Sequence, residues 1–169
     1  AETGAIVSFG LWSPVTTDTF DEVVSPTFTD LFTTTKRVDE TMVKADAIDI
    51  VINVQYDNLF VVVGPDGPFV GPTSKEMLHH DVVQTIHFVD DSGDKVADDA
   101  VAKLAFTRTA TVNVETETIV DFSNWQAVGS DTFAEVVSPV LDNLFTSTKT
   151  IEPITVKGDT ADLNMTVTY

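Results

Sequence analysis

The stretch DTFDEVVSPTFTDLFTTTK, residues Asp18 to Lys36, returns as DTFAEVVSPVLDNLFTSTK at Asp131 to Lys149, with 13 of 19 positions identical. The same offset of 113 pairs Phe9 with Phe122, Trp12 with Trp125, Val15 with Val128, Lys44 with Lys157, Asp49 with Asp162 and Tyr56 with Tyr169, without a gap. Self-similarity at a fixed spacing marks a duplicated folding unit. Residues 1–56 therefore read as the back half of one repeat, 57–75 as a Pro/Gly-rich linker and 76–169 as a complete repeat, so that the chain begins in mid-unit. Copying favours modules that gain reach and avidity from repetition. A catalytic site is rarely duplicated within a short chain, so the expectation is a binding or spacing protein and not an enzyme.

Around this repeat the hydrophobic pattern has the period of strands. Ala47 to Tyr56 places Ile48, Ile50, Ile52, Val54 and Tyr56 on one face, and its copy places Leu163, Met165, Val167 and Tyr169 at matching positions. Such alternation predicts a strand with one buried side. Val82–Asp90, Val101–Arg108, Thr109–Glu115 and Thr118–Phe122 are rich in Val and Thr and predict consecutive antiparallel strands. One short helix is expected at Asp18–Val24 and again at Asp131–Val137, with the Asp as N-cap and Pro26 or Pro139 as the stop. Asp21 would complete a capping box in the first copy, where the second has Ala134. The fold class is thus mostly β, extending to α+β.

Composition narrows the partners. With 43% apolar residues in 169, the chain can bury a core of modest size, and a large catalytic cavity is not expected. Acidic residues outnumber basic ones 27 to 9, for a net charge of −18. Nucleic acid and anionic membrane surfaces need clustered cations and are not expected partners. The longest apolar run, Leu59 to Val63, is too short to insert into a bilayer. No basic, apolar leader pattern opens the sequence, and any export signal is expected outside it. Without cysteine there is neither a disulfide nor a thiolate metal site.

Chemical motifs are sparse. His79 and His80 are neighbours on an extended segment, so their rings face opposite ways and do not chelate one ion readily. They read as exposed linker residues. His87, between Ile86 and Phe88, should turn away from the core into solvent. Asp90-Asp91-Ser92-Gly93-Asp94 has its Gly at the fourth position of a would-be calcium loop and Val101 at the twelfth, so a hairpin turn fits better. The many carboxylates leave a weak calcium site as the one cofactor expectation. Ser25-Pro26 and Ser138-Pro139 lack a histidine base in their own repeat copy and read as helix-stop or turn elements. Lys36 and Lys149 recur as surface lysines. Trp12 and Trp125 are the candidate ligand-binding residues, through stacking on sugar rings. Each follows an apolar strand and keeps its place in both copies, which favours a packing role.

The ordered set Gln84–Lys95, Phe106–Val112, Trp125, Asp131–Pro139, Thr148-Lys149 and Val167–Tyr169 resembles the mucus-binding repeats of lactobacillal and related Gram-positive surface proteins. The similarity is greatest to the second, C-terminal domain type of a Mub repeat. It departs where Asn143-Leu144-Phe145 and Asp30-Leu31-Phe32 stand in place of a Gly-Tyr pair. The resemblance implies a β-grasp, ubiquitin-like module in an elongated tandem array, monomeric within a longer, cell-wall-anchored extracellular chain. It also implies adhesion to host mucin glycoproteins and, for some members, to immunoglobulin, through weak multivalent contacts. The alternative is a stalk module that spaces a distal binding domain.

Overall fold

Val82, Gln84, Ile86 and Phe88 are all buried while Asp81 is exposed and Val83, Thr85 and His87 are partly exposed, as a strand with one covered face requires. This strand organises the larger of two units in a computed structural model that describes residues 10, 11, 13, 14, 17–44 and 47–169. The units are Ala1–Leu59 and Phe60–Tyr169. In chain order the first holds β1 (Thr19–Phe20), β2 (Val23–Val24), β3 (Leu31–Phe32), β4 (Arg37–Val38), β5 (Thr41–Met42) and β6 (Asp57–Asn58). The second holds β7 (Phe60–Val63), α1 (Lys75–Leu78), β8 (His79–Val89), β9 (Lys95–Thr107), β10 (Ala110–Asn113), β11 (Thr118–Phe122) and β12 (Gln126–Ala127). It ends with β13 (Thr132–Phe133), β14 (Val136–Val137), β15 (Thr150–Ile151), β16 (Ile154–Thr155) and β17 (Leu163–Thr168).

The main sheet of the second unit has the order β12-β9-β8-β17. β8 and β9 form an antiparallel hairpin. Its turn is the one expected at 90–94: Asp90 Oδ1 accepts the amides of Ser92 and Asp94, and Gly93 takes a left-handed φ of 86°. β17 lies parallel to β8, from Leu163 opposite Gln84 to Thr168 opposite Val89. A hairpin joined by a returning parallel strand is the arrangement of a β-grasp-like sheet. Its buried face carries Val82, Ile86, Phe88, Phe106 and Val167. Two short ribbons, β13–β16 and β14–β15, cover that face with Phe133, Val156 and Ile151. A separate sheet, β11-β10-β7, packs Val63, Ala110 and Val112 against Leu78 of α1.

Two expectations are corrected. No helix forms at Asp131–Val137 or Asp18–Val24; each contains two short strands instead. Val136–Val137 pairs with Thr150–Ile151, and Val23–Val24 with Arg37–Val38, and β-branched residues favour those ladders over a short helix held by one cap. The one helix among the described residues is α1. Within 57–75, β6 pairs with β3, β7 with β10 and Lys75 opens α1, while 64–74 is neither strand nor helix. Residues 47–56 are not a strand. Ile48 is 89% exposed, because the first unit offers no β8-like partner among its described residues and a lone strand leaves its ladder unsatisfied.

The repeat nevertheless extends to individual hydrogen bonds. Ser138 Oγ donates to Thr148 O as Ser25 Oγ donates to Thr35 O, and the Tyr169 hydroxyl donates to Pro139 O as Tyr56 does to Pro26 O. Both buried serines thus tie adjacent strands, which is a structural use of the Ser-Pro pairs. What differs is coverage. Phe133 is 1% exposed, whereas Phe20, its counterpart, is 62% exposed. Phe133→Ala should therefore cost about 3–5 kcal/mol, and Phe20→Ala no more than about 0.5 kcal/mol. Urea unfolding of the two variants, followed by circular dichroism, checks the difference.

Candidate functional site

After β9 the chain leaves the main sheet at Arg108, runs through β10 and β11, and returns to it at β12. The return carries Ser123, Asn124 and Trp125 past the end of the sheet. There a cleft of about 940 Å³ opens between this segment and the loop after β16, with Arg108, Phe122, Trp125 and Lys157 among its lining residues. Pockets for small ligands span roughly 300–1,000 Å³, so the volume is ample.

Arg108 is fixed at both ends. Its amide donates to Leu78 O and its Nε to Met77 O, at 3.0 and 2.9 Å. The guanidinium lies 3.8 Å from the Phe122 ring centre and 4.4 Å from that of Trp125, a double cation–π stack. Lys157 stands across the cleft, and neither cation enters an ion pair among the described residues. Asn124, Gln126, Asp131 and Asp159 add amide and carboxylate groups to the same walls.

Gly158 sets how close the far wall comes. A Cβ at this position would fall inside contact distance of Trp125 Cβ and Cγ and 3.0 Å from Phe106 Cβ. The turn that holds it there is closed twice, by Lys157 N to Thr160 Oγ1 and by Thr160 N to Lys157 O. Trp125 is half-buried: it packs beside Phe106 and Phe133 while also lining the cleft, so packing and ligand contact are compatible for one side chain. A half-exposed aromatic next to fixed hydrogen-bonding groups suits a flat, hydroxyl-rich ligand that offers C–H faces and polar edges.

Of the two tryptophans singled out in the sequence, Trp12 lies outside the described residues. Arg108, Phe122 and Gly158 escaped the sequence reading. Gly158 had one signal, since the repeat has Ala45 at the matching place. The histidines are not gathered into a site. His79 bonds to Pro65 O, His80 lies 5.9 Å from the Trp125 ring, and His87, expected in solvent, is half-exposed and bonded to Asp99 at 2.9 Å. Among the described residues no three His, Asp or Glu side chains converge as a metal site. Lys149 is held 4.3 Å over the Phe145 ring.

No protein in the search of curated proteins matches the chain. Among solved structures, it is 26% identical to the crystal structure of Mub-RV, with a TM-score of 0.56, over 69% of this chain and 61% of that one. The chain thus spans less than two thirds of the length of that relative. A MucBP domain of the adhesion protein from Pediococcus pentosaceus is 35% identical over 53% of this chain and 95% of its own, with a TM-score of 0.48. The type 2 repeat of the mucus binding protein MUB from Lactobacillus reuteri matches 88% of this chain and 74% of its own, at 19% identity and a TM-score of 0.53. The last of these bears on the fold alone. The family model described as Muc B2-like domain matches residues 73–169, more than half of the chain, and the chain belongs to that family.

Proposed function

We propose that the second unit is a mucus-adhesion module of an extracellular, wall-anchored protein, and that it contacts mucin-type glycans through the Trp125 cleft. The observation that carries this reading is the half-exposed indole held beside a rigid, stacked Arg108 in an open cleft. Membership of the Muc B2-like family supports it. Each cleft makes a weak contact, and a tandem array multiplies it. No helix among the described residues is long and apolar enough to cross a membrane.

Binding of the chain to immobilised mucin tests the proposal, with immunoglobulin as a parallel surface. Saturable binding to mucin is expected, and Trp125→Ala should weaken it by at least about tenfold, the usual result of truncating an aromatic anchor. Unchanged affinity in this variant, with its circular dichroism intact, would move the site elsewhere. Lack of saturable binding by the unaltered chain would leave the spacing role.

Gly158→Ala adds one methyl group against the indole and displaces it. It should lose about 1–3 kcal/mol of stability by overpacking and lower mucin affinity with it. Differential scanning calorimetry paired with the same binding assay reads both effects.

Charge sets a pH dependence. The chain carries −18 at neutral pH with a pI near 4.1, and acidic mucins repel it. Lowering the pH protonates carboxylates and removes negative charge, so mucin affinity should rise from pH 7 toward pH 5. An affinity that is flat or falling over that range would remove electrostatic repulsion from the account.

A further inference from the structure

The sheet β11-β10-β7 of the second unit ends in two unlike edges. The β11 edge carries Asp121, and its register against β10 shifts between Thr111 and Val112. A charge and a register break are devices that keep an exposed edge from pairing. β7 has neither. Phe60-Val61-Val62-Val63 is uncharged, free of Pro and in unbroken register with Ala110–Asn113, and among the described residues it pairs with β10 alone. In an antiparallel ladder alternate residues turn their N–H and C=O away from the partner strand, so half of these groups on β7 face outward. Its side chains alternate too: Val63 is buried, whereas Phe60 is 41% and Val62 66% exposed. The free side of the main sheet differs, because β17 exposes only Asn164, Thr166 and Thr168, all polar. A free backbone edge and exposed large apolar side chains thus coincide at β7.

We infer that β7 is a self-association edge, through which the second units of two chains pair their β7 strands antiparallel about a two-fold axis at Val61. Symmetry chooses the register. An axis normal to the sheet keeps the exposed face on one side, so each residue must meet one from the same face. Centring on Val61 sets Phe60 opposite Val62 of the second copy and Val62 opposite its Phe60, two aromatic–β-branched pairs of the kind that stabilise sheets. The strand is its own complement, as a contact between identical copies requires. Charge favours the same place. Each chain carries −18, so two copies repel wherever carboxylates meet, and Phe60–Val63 brings none to the contact. So short a strand makes a small interface, with an expected dissociation constant on the order of 0.1–1 mM. Chains held side by side on one surface multiply such a contact. The inference is independent of the glycan reading, because none of Phe60–Val63 lines the Trp125 cleft.

Sedimentation equilibrium of the complete chain, from about 10 μM to about 1 mM, tests it. A monomer–dimer equilibrium is expected. It should tighten at least about threefold when NaCl rises from about 50 to about 500 mM, because salt screens the repulsion and leaves the apolar contact in place. Val62→Lys should weaken it at least about tenfold. Val101→Lys is the matched control: Val101 is 64% exposed on β9, the charge change is the same, and dimerisation should not weaken. Circular dichroism checks that both variants fold. The chain has no cysteine, so Val61→Cys reads the register. Directly paired Cα atoms lie about 4.5–5.5 Å apart, within disulfide reach, and the linked dimer should form at least about tenfold faster than with Val101→Cys. A chain that stays monomeric over the whole range, association that Val62→Lys leaves intact or that salt weakens, or equal cross-linking of the two cysteine variants would overturn the inference.

Discussion

The parallel pairing of β17 with β8 is the constraint on which the second unit depends. It places β8 between two partners, so that Val82, Ile86 and Phe88 are flanked on both sides and can be covered from one face. It also anchors the chain end, where the Tyr169 amide donates to Val89 O and the hydroxyl to Pro139 O. Those two bonds draw the β14–β15 ribbon and the sheet together around Tyr169. Burial accordingly raises the Tyr169 phenol above its ordinary pKa, although its hydrogen bonding near Ser138 works in the opposite direction. Even a polar residue is accommodated: Gln84 is buried on the core face with its amide nitrogen 3.8 Å from the Met165 sulfur across the same parallel pair.

The two copies separate what a segment encodes from what its partner supplies. Ile50–Gln55 and Leu163–Thr168 share one alternation, yet only the latter forms a strand. Alternation determines which side chains can be buried together. Pairing and burial require a second segment, and the entropy lost in straightening six residues is offset only when that segment is there. The Ser-Pro corners behave differently. Ser25 and Ser138 make the same hydrogen bonds in both units because donor and acceptor lie ten residues apart within one local ribbon.

Legibility in the sequence follows the same division. The strands of the β8–β9 hairpin and its Asp90–Asp94 turn were readable, since each rests on local periodicity or turn chemistry. The short helix was misread because Asp131 and Pro139 carry genuine cap and stop signals, and only the pairing of Val136–Val137 with Thr150–Ile151 overrides them. The pairing of Phe60–Val63 was hidden for a related reason: its partner comes about fifty residues later, in Ala110–Asn113. The cleft was the least legible part. Trp125 could be named, but Arg108 reaches it only because α1 offers Met77 O and Leu78 O as fixed acceptors from some thirty residues away.

Duplication also distinguishes the frame of the cleft from its rim. At the offset of 113, Phe122, Trp125, Asp131, Val156, Lys157 and Asp159 are matched by identical residues, Phe9, Trp12, Asp18, Val43, Lys44 and Asp46. These six residue identities are therefore common to both copies. Ser123, Asn124, Gln126 and Gly158 are matched instead by Gly10, Leu11, Ser13 and Ala45. Three of these changes remove side-chain hydrogen-bonding groups or shorten them, and the fourth adds a methyl where Gly158 allows the closest approach to the indole. In a binding site, apolar contact supplies much of the attraction, while oriented polar groups decide which hydroxyl pattern is accepted. On the glycan reading proposed above, a repeat that keeps the first kind of residue and varies the second keeps the residue types for stacking and changes those that select. Under that proposal, such a division fits a ligand of mixed composition, since the residues that differ between copies are mostly the polar ones.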